Sequence, residues 1–396
     1  MSRNNYTCGI DVGTHTTKVV VVGYDKSDNK EEKSLTTLAS GKADTEGMRQ
    51  GYITNTDQVA KSIKEAVAQA EKVLGFKIKH AYVSIGGVNL SSTISAGSVI
   101  ISRADQEVTQ LDITKAIADS EENLEILNKK IIHVIPVSYK LDGKDLHGRP
   151  EGMRGVKLEV RTLFVTCSKQ NIEDLVTAVG LAGIDIEEII ASPLATSNIL
   201  LNTKQKRAGC ALLDIGAETV SMSIFENNVL MSLQTFSIGS MDITKDVALG
   251  FRISLEEAES IKLGSVIGGD YPKKKVDEIV EARLGDIFEL AGNHLKRQRR
   301  SELLPAGIIL CGGGAHITKI EELAKSQLKL PCRVGTSDVG VNNKLKVKDL
   351  SWYTAYGLAL SGGEDNSISS SMDGAFGDNI KQVKGFFKSI LSQLLP

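Results

Sequence analysis

Apolar residues fall along this chain in short strand-length runs and in longer stretches at helical spacing. Residues 6–25 hold two such runs, CGIDV and TTKVVVV, around the polar turn GTH, and predict a β-hairpin. Residues 57–74 (DQVAKSIKEAVAQAEKVL) place apolar positions one turn apart and predict a helix with Asp57 as N-cap. The strand AYVSIGG follows. Residues 84–166 then change character, with a helix over 112–127, the strand IIHVIPVSYKL, the turn-rich DGKDLHGRPEGMRG and the strand LEVRTLFVTC. This block reads as a small inserted α+β domain. Helix and strand resume over 171–190, and SPLATSNILL predicts a helix leading into residues 208–238, the first strands of a second half. Residues 239–304 are polar and mostly helical. The strand GIILC (307–311) precedes GGGA and the predicted helix HITKIEELAKSQL, and a helix near WYTAYGLAL closes the folded part.

The pattern repeats itself. CGIDVGTHTTKVVVV (8–22) and CALLDIGAETVSMSIF (210–225) are both strand, Asp, aliphatic residue, Gly, Thr-containing turn and strand. A duplicated unit predicts two related halves facing one cleft. Asp11 and Asp214 then end their strands pointing into it. Gly13 and Gly216 let the backbone come close enough to offer N–H groups to phosphate. In the first turn Thr14, Thr16, Thr17 and Lys18 add hydroxyls and a cation. In the second, Ala217 and Thr219 occupy the loop. Asp11 and Asp214 are the candidate magnesium residues, acting through water because that ion releases its waters reluctantly. One such turn alone could be a plain hairpin; the second copy shifts the balance. Gly312, Gly313 and Gly314, followed by Ala315, come after a buried-type strand and are expected to open a helix, where N–H groups favour a nucleotide. No GxxxxGK[ST] occurs, which excludes the common phosphate-loop class.

The composition fits a folded protein: 396 residues, enough for two to four lobes, 41% hydrophobic and 24% charged. A formal net charge of −2 argues against nucleic acid as a partner. The five cysteines show no CxxC pairing; Cys8, Cys167, Cys210 and Cys311 sit in apolar runs and read as core residues of a reducing compartment. The histidines lack ligand spacing, and no run is long enough to span a bilayer. Glu259 and Lys262 lie one turn apart, either as an ion pair on a solvated face or as part of a site.

Together these motifs resemble the actin/heat-shock-70/sugar-kinase ATPase superfamily, an α/β, ribonuclease H-like duplicated fold. The resemblance implies that Asp11–Lys18 and Asp214–Thr219 are the two phosphate loops, that Gly312–Ala315 is the adenosine loop, and that Glu259 and Lys262 line the adenine and ribose of ATP. Within that superfamily His133-Val-Ile-Pro136, Leu141-Asp142-Gly143, Pro150-Glu-Gly-Met153 with Gly155, and Leu158-Glu159 resemble the bacterial FtsA family. The implied arrangement is a domain 1A over 1–83 and 167–206, an inserted α+β domain 1C over 84–166, a domain 2A over 207–238 and 305–360, and a domain 2B over 239–304. The implied function is an ATP-binding cell-division protein. Such a protein tethers FtsZ to the cytoplasmic face of the membrane at the septum, polymerises there and recruits later division proteins. Arg283 lies on the helix that would open the FtsZ-binding face, and Arg297 and Arg300 would extend it as a basic groove for the acidic FtsZ tail. A PilM-like pilus-assembly adaptor shares the fold and a similar second loop; a sugar-type kinase would need a base and a pocket that no stretch supplies.

The sequence departs from the superfamily at the second loop, where Glu218 follows Ala217 and Ser221 stands in place of a frequent Asp. Glu218 either turns away, faces magnesium or positions water as a catalytic base. Slow or negligible ATP turnover is expected. Residues 361–378 are Gly/Ser-rich and predict a flexible linker. Beyond it, Ile380, Val383, Phe386, Phe387, Ile390, Leu391, Leu394 and Leu395 form one apolar stripe flanked by Lys381, Lys384 and Lys388. A helix docked on protein would use such a stripe too. The linker, the position and the Phe-Phe/Lys composition favour an interfacial anchor over 379–396, binding anionic headgroups reversibly.

Overall fold

The duplication seen in the sequence is a duplication of topology. The computed structural model describes residues 6–24, 35–264, 271–336 and 349–362. The predicted tail stripe, and the linker from residue 363 on, lie outside the described residues. The first half comprises β1 (Tyr6–Val12), β2 (Thr16–Tyr24), β3 (Leu35–Asp44), the small hairpin β4 (Met48–Arg49) and β5 (Tyr52–Ile53), α1 (Thr56–Leu74) and β6 (His80–Ile85). The insertion follows as β7 (Ser91–Ile100), α2 (Gln110–Glu122), β8 (Lys129–Leu141), β9 (Lys144–Leu146) and β10 (Lys157–Ser168). The chain then returns through α3 (Lys169–Leu181), β11 (Asp185–Ala191), α4 (Ser192–Leu200) and α5 (Thr203–Ala208). The second half holds β12 (Cys210–Ile215), β13 (Val220–Glu226), β14 (Val229–Phe236), α6 (Ser240–Phe251), α7 (Leu255–Lys262), α8 (Lys273–Arg297), β15 (Ile308–Cys311), α9 (Ile320–Leu328), β16 (Cys332–Val334) and α10 (Tyr353–Ser361).

In the first sheet the order is β11-β6-β1-β2-β3; in the second it begins β16-β15-β12-β13-β14. Both are an antiparallel three-strand meander with two parallel strands added beside its first strand. The strands nearest the helices are almost wholly apolar, as expected of sheet buried on both faces. The second sheet does not stop at β14. It continues through β7, β10, β8 and β9 of the insertion. The seam is thin: Gln234 opposite Ser91 is its one backbone pair, and the Ser92 hydroxyl both donates to the Leu233 carbonyl (3.2 Å) and accepts from the Leu233 N–H (2.7 Å). The insertion has its own small core, Ile101, Val108, Ile113, Ala116, Tyr139, Leu141, Leu158 and Val160. The inner ends of β8 and β10, with Ile132, Leu163, Val165 and Cys167, belong to the main core instead.

Several sequence expectations shift by a few residues. The cap of α1 is Asn55, whose side chain accepts from the Gln58 N–H, and Asp57 sits in the first turn. Helix α2 starts earlier than predicted because Thr109 and Asp112 form a capping box, and it ends at Glu122 rather than 127. The assignment of residues 305–360 to the second half fails at its end. Helix α10 packs against β1, β2 and α4 of the first half, with Ala355 and Ala359 beneath Val20 and Val22. Gly9 permits that approach, since a Cβ there would lie 2.3 Å from the Ala355 carbonyl oxygen. All five cysteines are buried and unbridged. Burial pushes the Cys8 thiol up to about 12, so it is inert at neutral pH.

Two buried histidines tie elements together. His133 Nε2 accepts from the Ala191 N–H (3.0 Å), joining the insertion to β11, and His294 Nε2 meets the Ser232 hydroxyl at 2.9 Å. Burial pushes both imidazoles down to about 4. Between the ordinary 6.5 and about 4, the unfolded chain therefore binds protons that the fold refuses. The histidines' contribution to stability is expected to be flat above pH 6.5 and to fall as acid is added through that window, by up to about 1.4 kcal/mol per pH unit for each, while Asp214, whose carboxyl is pushed up to about 6, acts in the opposite sense. Urea midpoints measured from pH 7 to 4.5 should decline less steeply for His294→Gln than for the parent chain.

Candidate functional site

The two duplicated turns are built alike. Across β1 and β2, Asp11 stands opposite Lys18; across β12 and β13, Asp214 stands opposite Ser221. The superposed positions of Lys18 and Ser221 are where the repeat breaks: one half supplies a cation, the other a hydroxyl. Each turn closes tightly over its glycine. A Cβ on Gly13 would lie 2.8 Å from the Thr16 carbonyl oxygen, and one on Gly216 2.9 Å from that of Thr219. The second turn is seated on the start of α6, whose Ser240 and Met241 N–H groups donate to the Gly216 and Ala217 carbonyls (2.9 and 2.8 Å).

At the strand ends the structure brings Asp11, Lys18 and Asp214 into one electrostatic cluster. Burial pushes Asp11 up, against the attraction of Lys18 and the hydrogen bond from Ser84. Burial, together with the neighbouring Asp11, pushes Asp214 up to about 6, again opposed by Lys18. Burial pushes the Lys18 ammonium down, opposed chiefly by Asp11. Lys18 is 5% exposed and donates to the Thr16 hydroxyl at 2.7 Å. Ser84 went unnoticed in the sequence. Its hydroxyl donates to Asp11 Oδ1 (2.8 Å) and accepts from the Val12 N–H (3.1 Å), so it fixes the carboxylate's orientation. No sequence signal marks it beyond its place at the end of a strand.

Thr17 leaves the predicted phosphate set. Alternation along β2 puts Thr16 and Lys18 on one face and Thr17 on the other, where it is fully buried and shares a 2.9 Å hydrogen bond with Thr45. Thr14 faces a neighbouring turn, accepting from the Gly51 N–H at 3.2 Å. Glu218 also has a defined partner: its Oε2 accepts from the Gln50 N–H at 2.6 Å. Of the three open readings for Glu218, this arrangement is the one in which it turns to a protein amide.

The triple glycine does not open an α-helix. Gly313–His316 form a single 3-10 turn, and α9 begins at Ile320. Gly312 has a left-handed φ of 83°, and a Cβ there would lie 2.3 Å from Asp214 Oδ1. A Cβ on Gly314 would meet the Ile215 side chain at 2.4 Å. Protein packing thus explains two of the three glycines. Gly313 is different, because a Cβ there meets nothing within 4 Å. Ala315 is buried. Glu259 and Lys262 are no solvated-face pair. The Lys262 side chain is 4% exposed, lies 2.7 Å from Glu259 and donates to the Ser240 carbonyl (3.2 Å) and Thr244 hydroxyl (3.0 Å), while Thr244 also bonds Glu259. The pair locks α7 to α6 beside the second turn.

The three arginines do not form one groove. Arg283 is held by both oxygens of Asp246 (2.7 and 3.1 Å) and by Asp286 (3.1 Å), in a hollow of about 370 Å³ lined also by Leu249, Ile279 and Ala282. Arg300 is committed to Glu226 at the end of β13 (2.5 and 2.8 Å). Arg297 is in the last turn of α8, whose 25 residues separate the two ends. Among the described residues, no cluster of three or more His, Cys, Asp or Glu could hold a metal alone. Two half-buried carboxylates at one point suit a magnesium that keeps waters and shares nucleotide oxygens.

A family model for cell division protein FtsA matches residues 211–357, and a model for the SHS2 domain inserted in FtsA matches 87–166. Cell division protein FtsA of Bacillus subtilis (strain 168) is 30% identical over 380 residues, covering 90% of this chain and 83% of the relative. The chain belongs to the FtsA family. FtsA of Pseudomonas aeruginosa is 28% identical over 92% of this chain and 91% of its own length. Among solved structures, the PilM–PilN type IV pilus biogenesis complex aligns at a TM-score of 0.66 with 16% identity, over 90% of this chain and 98% of that one. MreB5 of Spiroplasma citri bound to ADP aligns at 0.52 with 11% identity, over 90% and 95%. These likenesses are of fold, and they make this an actin-like fold carrying an inserted domain.

The glycines give a sharp comparison. Gly312→Ala should destabilise the FtsA-family fold, by about 1 kcal/mol or more from the left-handed φ alone, and lower the melting temperature. Gly313→Ala should leave the melting temperature unchanged while weakening nucleotide binding, read by a fluorescent ATP analogue. Ser84→Ala should weaken magnesium-dependent binding of the same analogue with little change in binding without metal.

Proposed function

We propose that this FtsA-family chain binds ATP with magnesium between its two halves, assembles with copies of itself on the cytoplasmic membrane surface at the septum, tethers FtsZ there and recruits later division proteins. The observation that carries the nucleotide reading is the meeting of Asp11, Lys18 and Asp214 at the ends of two duplicated turns. Two half-buried carboxylates and one buried ammonium carry a net negative charge that a magnesium ion would neutralise. In this reading Asp11 and Asp214 hold the metal through its waters. Lys18 and the amides beside Gly13 and Gly216 bind phosphate oxygens, Gly313 gives the nucleotide room, and the Glu259–Lys262 pair borders the base and ribose. Bound magnesium would supply charge neutralisation at the phosphates.

Turnover is expected to be slow. Glu218 Oε2 is engaged by the Gln50 amide at 2.6 Å, so its use as a base would mean breaking or sharing that bond. Membrane attachment rests on the apolar stripe from Ile380 to Leu395 and its flanking Lys381, Lys384 and Lys388. Among the described residues, no helix is long and apolar enough to cross a membrane. For FtsZ, the hollow beside Arg283 offers exposed Leu249 as an apolar anchor point, and an acidic peptide there would have to take the guanidinium from Asp246 or Asp286. Arg300 is no part of that hollow.

The first test is co-sedimentation of the full chain with anionic liposomes and an FtsZ C-terminal peptide in the presence of ATP. The full chain should pellet and carry the peptide; a 1–378 truncation should leave both in the supernatant. Arg283→Glu should still pellet but lose the peptide, whereas Arg300→Glu should keep it. A full chain that stays soluble and ignores the peptide overturns the tether reading. Lowering the pH through about 6 protonates Asp214, whose carboxyl is pushed up to that value. Magnesium-dependent ATP affinity should therefore drop below pH 6 and level off above pH 7, as followed by titration calorimetry.

A further inference from the structure

The turn between β4 and β5 touches three parts of the protein that are far apart in sequence. The Gln50 N–H donates to Glu218 of the second duplicated turn (2.6 Å), and the Gly51 N–H donates to Thr14 of the first (3.2 Å). The Gln50 carbonyl accepts from the Val88 N–H (3.3 Å) at the root of the insertion. Gly51 and Gly87 meet backbone to backbone; a Cβ on Gly51 would lie 2.2 Å from the Gly87 Cα. Gln50 and Gly51 both adopt positive φ (50° and 79°), the twist favoured in a two-residue hairpin loop, and Gly87 (99°) is shaped to meet it, so the loop is a compact unit that moves as a whole. A void of about 10 Å³, lined by Val12, Gly51, Ile53, Ser84 and Gly86 among others, lies beneath it.

We propose that the Gln50–Gly51 turn reports the presence of a γ-phosphate to the inserted domain, with Glu218 as the positioning residue that makes it respond. The inference rests on the nucleotide reading given above. The first and second turns supply the acceptors, Thr14 and Glu218, for both amides of this turn. A γ-phosphate arriving between those turns repels the Glu218 carboxylate and draws the Thr14 hydroxyl round as a donor to its own oxygens. The Gln50 amide loses its acceptor, and the Gly51 bond to Thr14 lengthens as that side chain turns. The turn shifts, and the Gln50–Val88 bond and the Gly51–Gly87 contact move with it. A diphosphate leaves the network as it is. The insertion is also stitched to the second half through Ser92 and Leu233. It therefore straddles the two halves, and a shift at Val88 changes its tilt against a fixed second attachment.

The test is residue-resolved hydrogen exchange on the full chain with magnesium and either ADP or a non-hydrolysable ATP analogue. The expected result is faster exchange at the Gln50, Gly51 and Val88 amides with the triphosphate analogue, by about fivefold or more, the loss of one net hydrogen bond. Glu218→Gln keeps an acceptor for Gln50 but removes the charge, and should abolish the difference between nucleotides at Gln50 and Val88. Glu218→Ala should give fast exchange at Gln50 with either nucleotide. Protection near Gly13 and Gly216 serves as the binding readout. If those turns respond to both nucleotides while residues 50, 51 and 88 do not distinguish them, the coupling is overturned and nucleotide binding stands. If neither nucleotide protects Gly13 or Gly216, the nucleotide reading fails and the coupling falls with it. An unchanged response in Glu218→Gln removes Glu218 from its role.

Discussion

Three charged side chains at one point, Lys18 buried and Asp11 and Asp214 half-buried, set the terms for the rest of this structure. Asp11 and Asp214 repel each other, and both are drawn to Lys18. Burying them is costly unless each is oriented and paired. Most of the surrounding detail serves that requirement. Ser84 fixes one carboxylate, Thr16 accepts from the ammonium, and Gly312 leaves room for the other carboxylate where any side chain would displace it. The two halves keep the same strand order, so their turns end at equivalent places, and α10 returns from the second half's sequence to brace β1 from behind.

The same economy explains why the duplicated halves diverge where they do. Two copies of Asp opposite Lys would balance charge within each half and leave nothing for a shared ligand. Replacing the second lysine position by Ser221 leaves the cluster one cation short. The Glu218 carboxylate, added close by, would worsen that imbalance if it pointed into the cleft. Its hydrogen bond to a backbone amide spreads its charge onto a neighbouring turn instead.

What was legible in the sequence was local. Each Asp-x-Gly unit and its hairpin are set by residues within about ten positions, and the strand and helix patterns around them read correctly because burial on a sheet or helix face repeats at short intervals. The inserted block was legible for the same reason, since its turn-rich composition breaks the alternation. What the pattern could not show was who meets whom across the fold. Ser84 lies 73 positions from Asp11, and Gln50 lies 168 from Glu218. The glycines after β15 carried a real constraint, but its source, Asp214 and Ile215, sits about a hundred residues upstream, so the sequence suggested close ligand approach where protein packing accounts for two of the three. Thr17 was grouped with the turn by its hydroxyl, although alternation along a strand that begins at Thr16 places it on the face opposite Thr16 and Lys18. The arginines looked like a cluster because composition does not reveal that Asp246 and Glu226 had already claimed two of them.

The thin seam between β14 and β7 has a consequence for how such a protein stays soluble. Without the insertion, β14 would be the outer strand of its sheet, eight residues of which five are apolar, with free backbone groups along one side. Long open edges of that kind invite pairing between molecules. The insertion covers part of this edge and moves the end of the sheet to β9, three residues long and carrying Lys144 and Asp145. Beyond the three residues that β9 pairs, β8 carries Lys129, Lys130 and Pro136, so that this side of the sheet discourages indiscriminate strand addition.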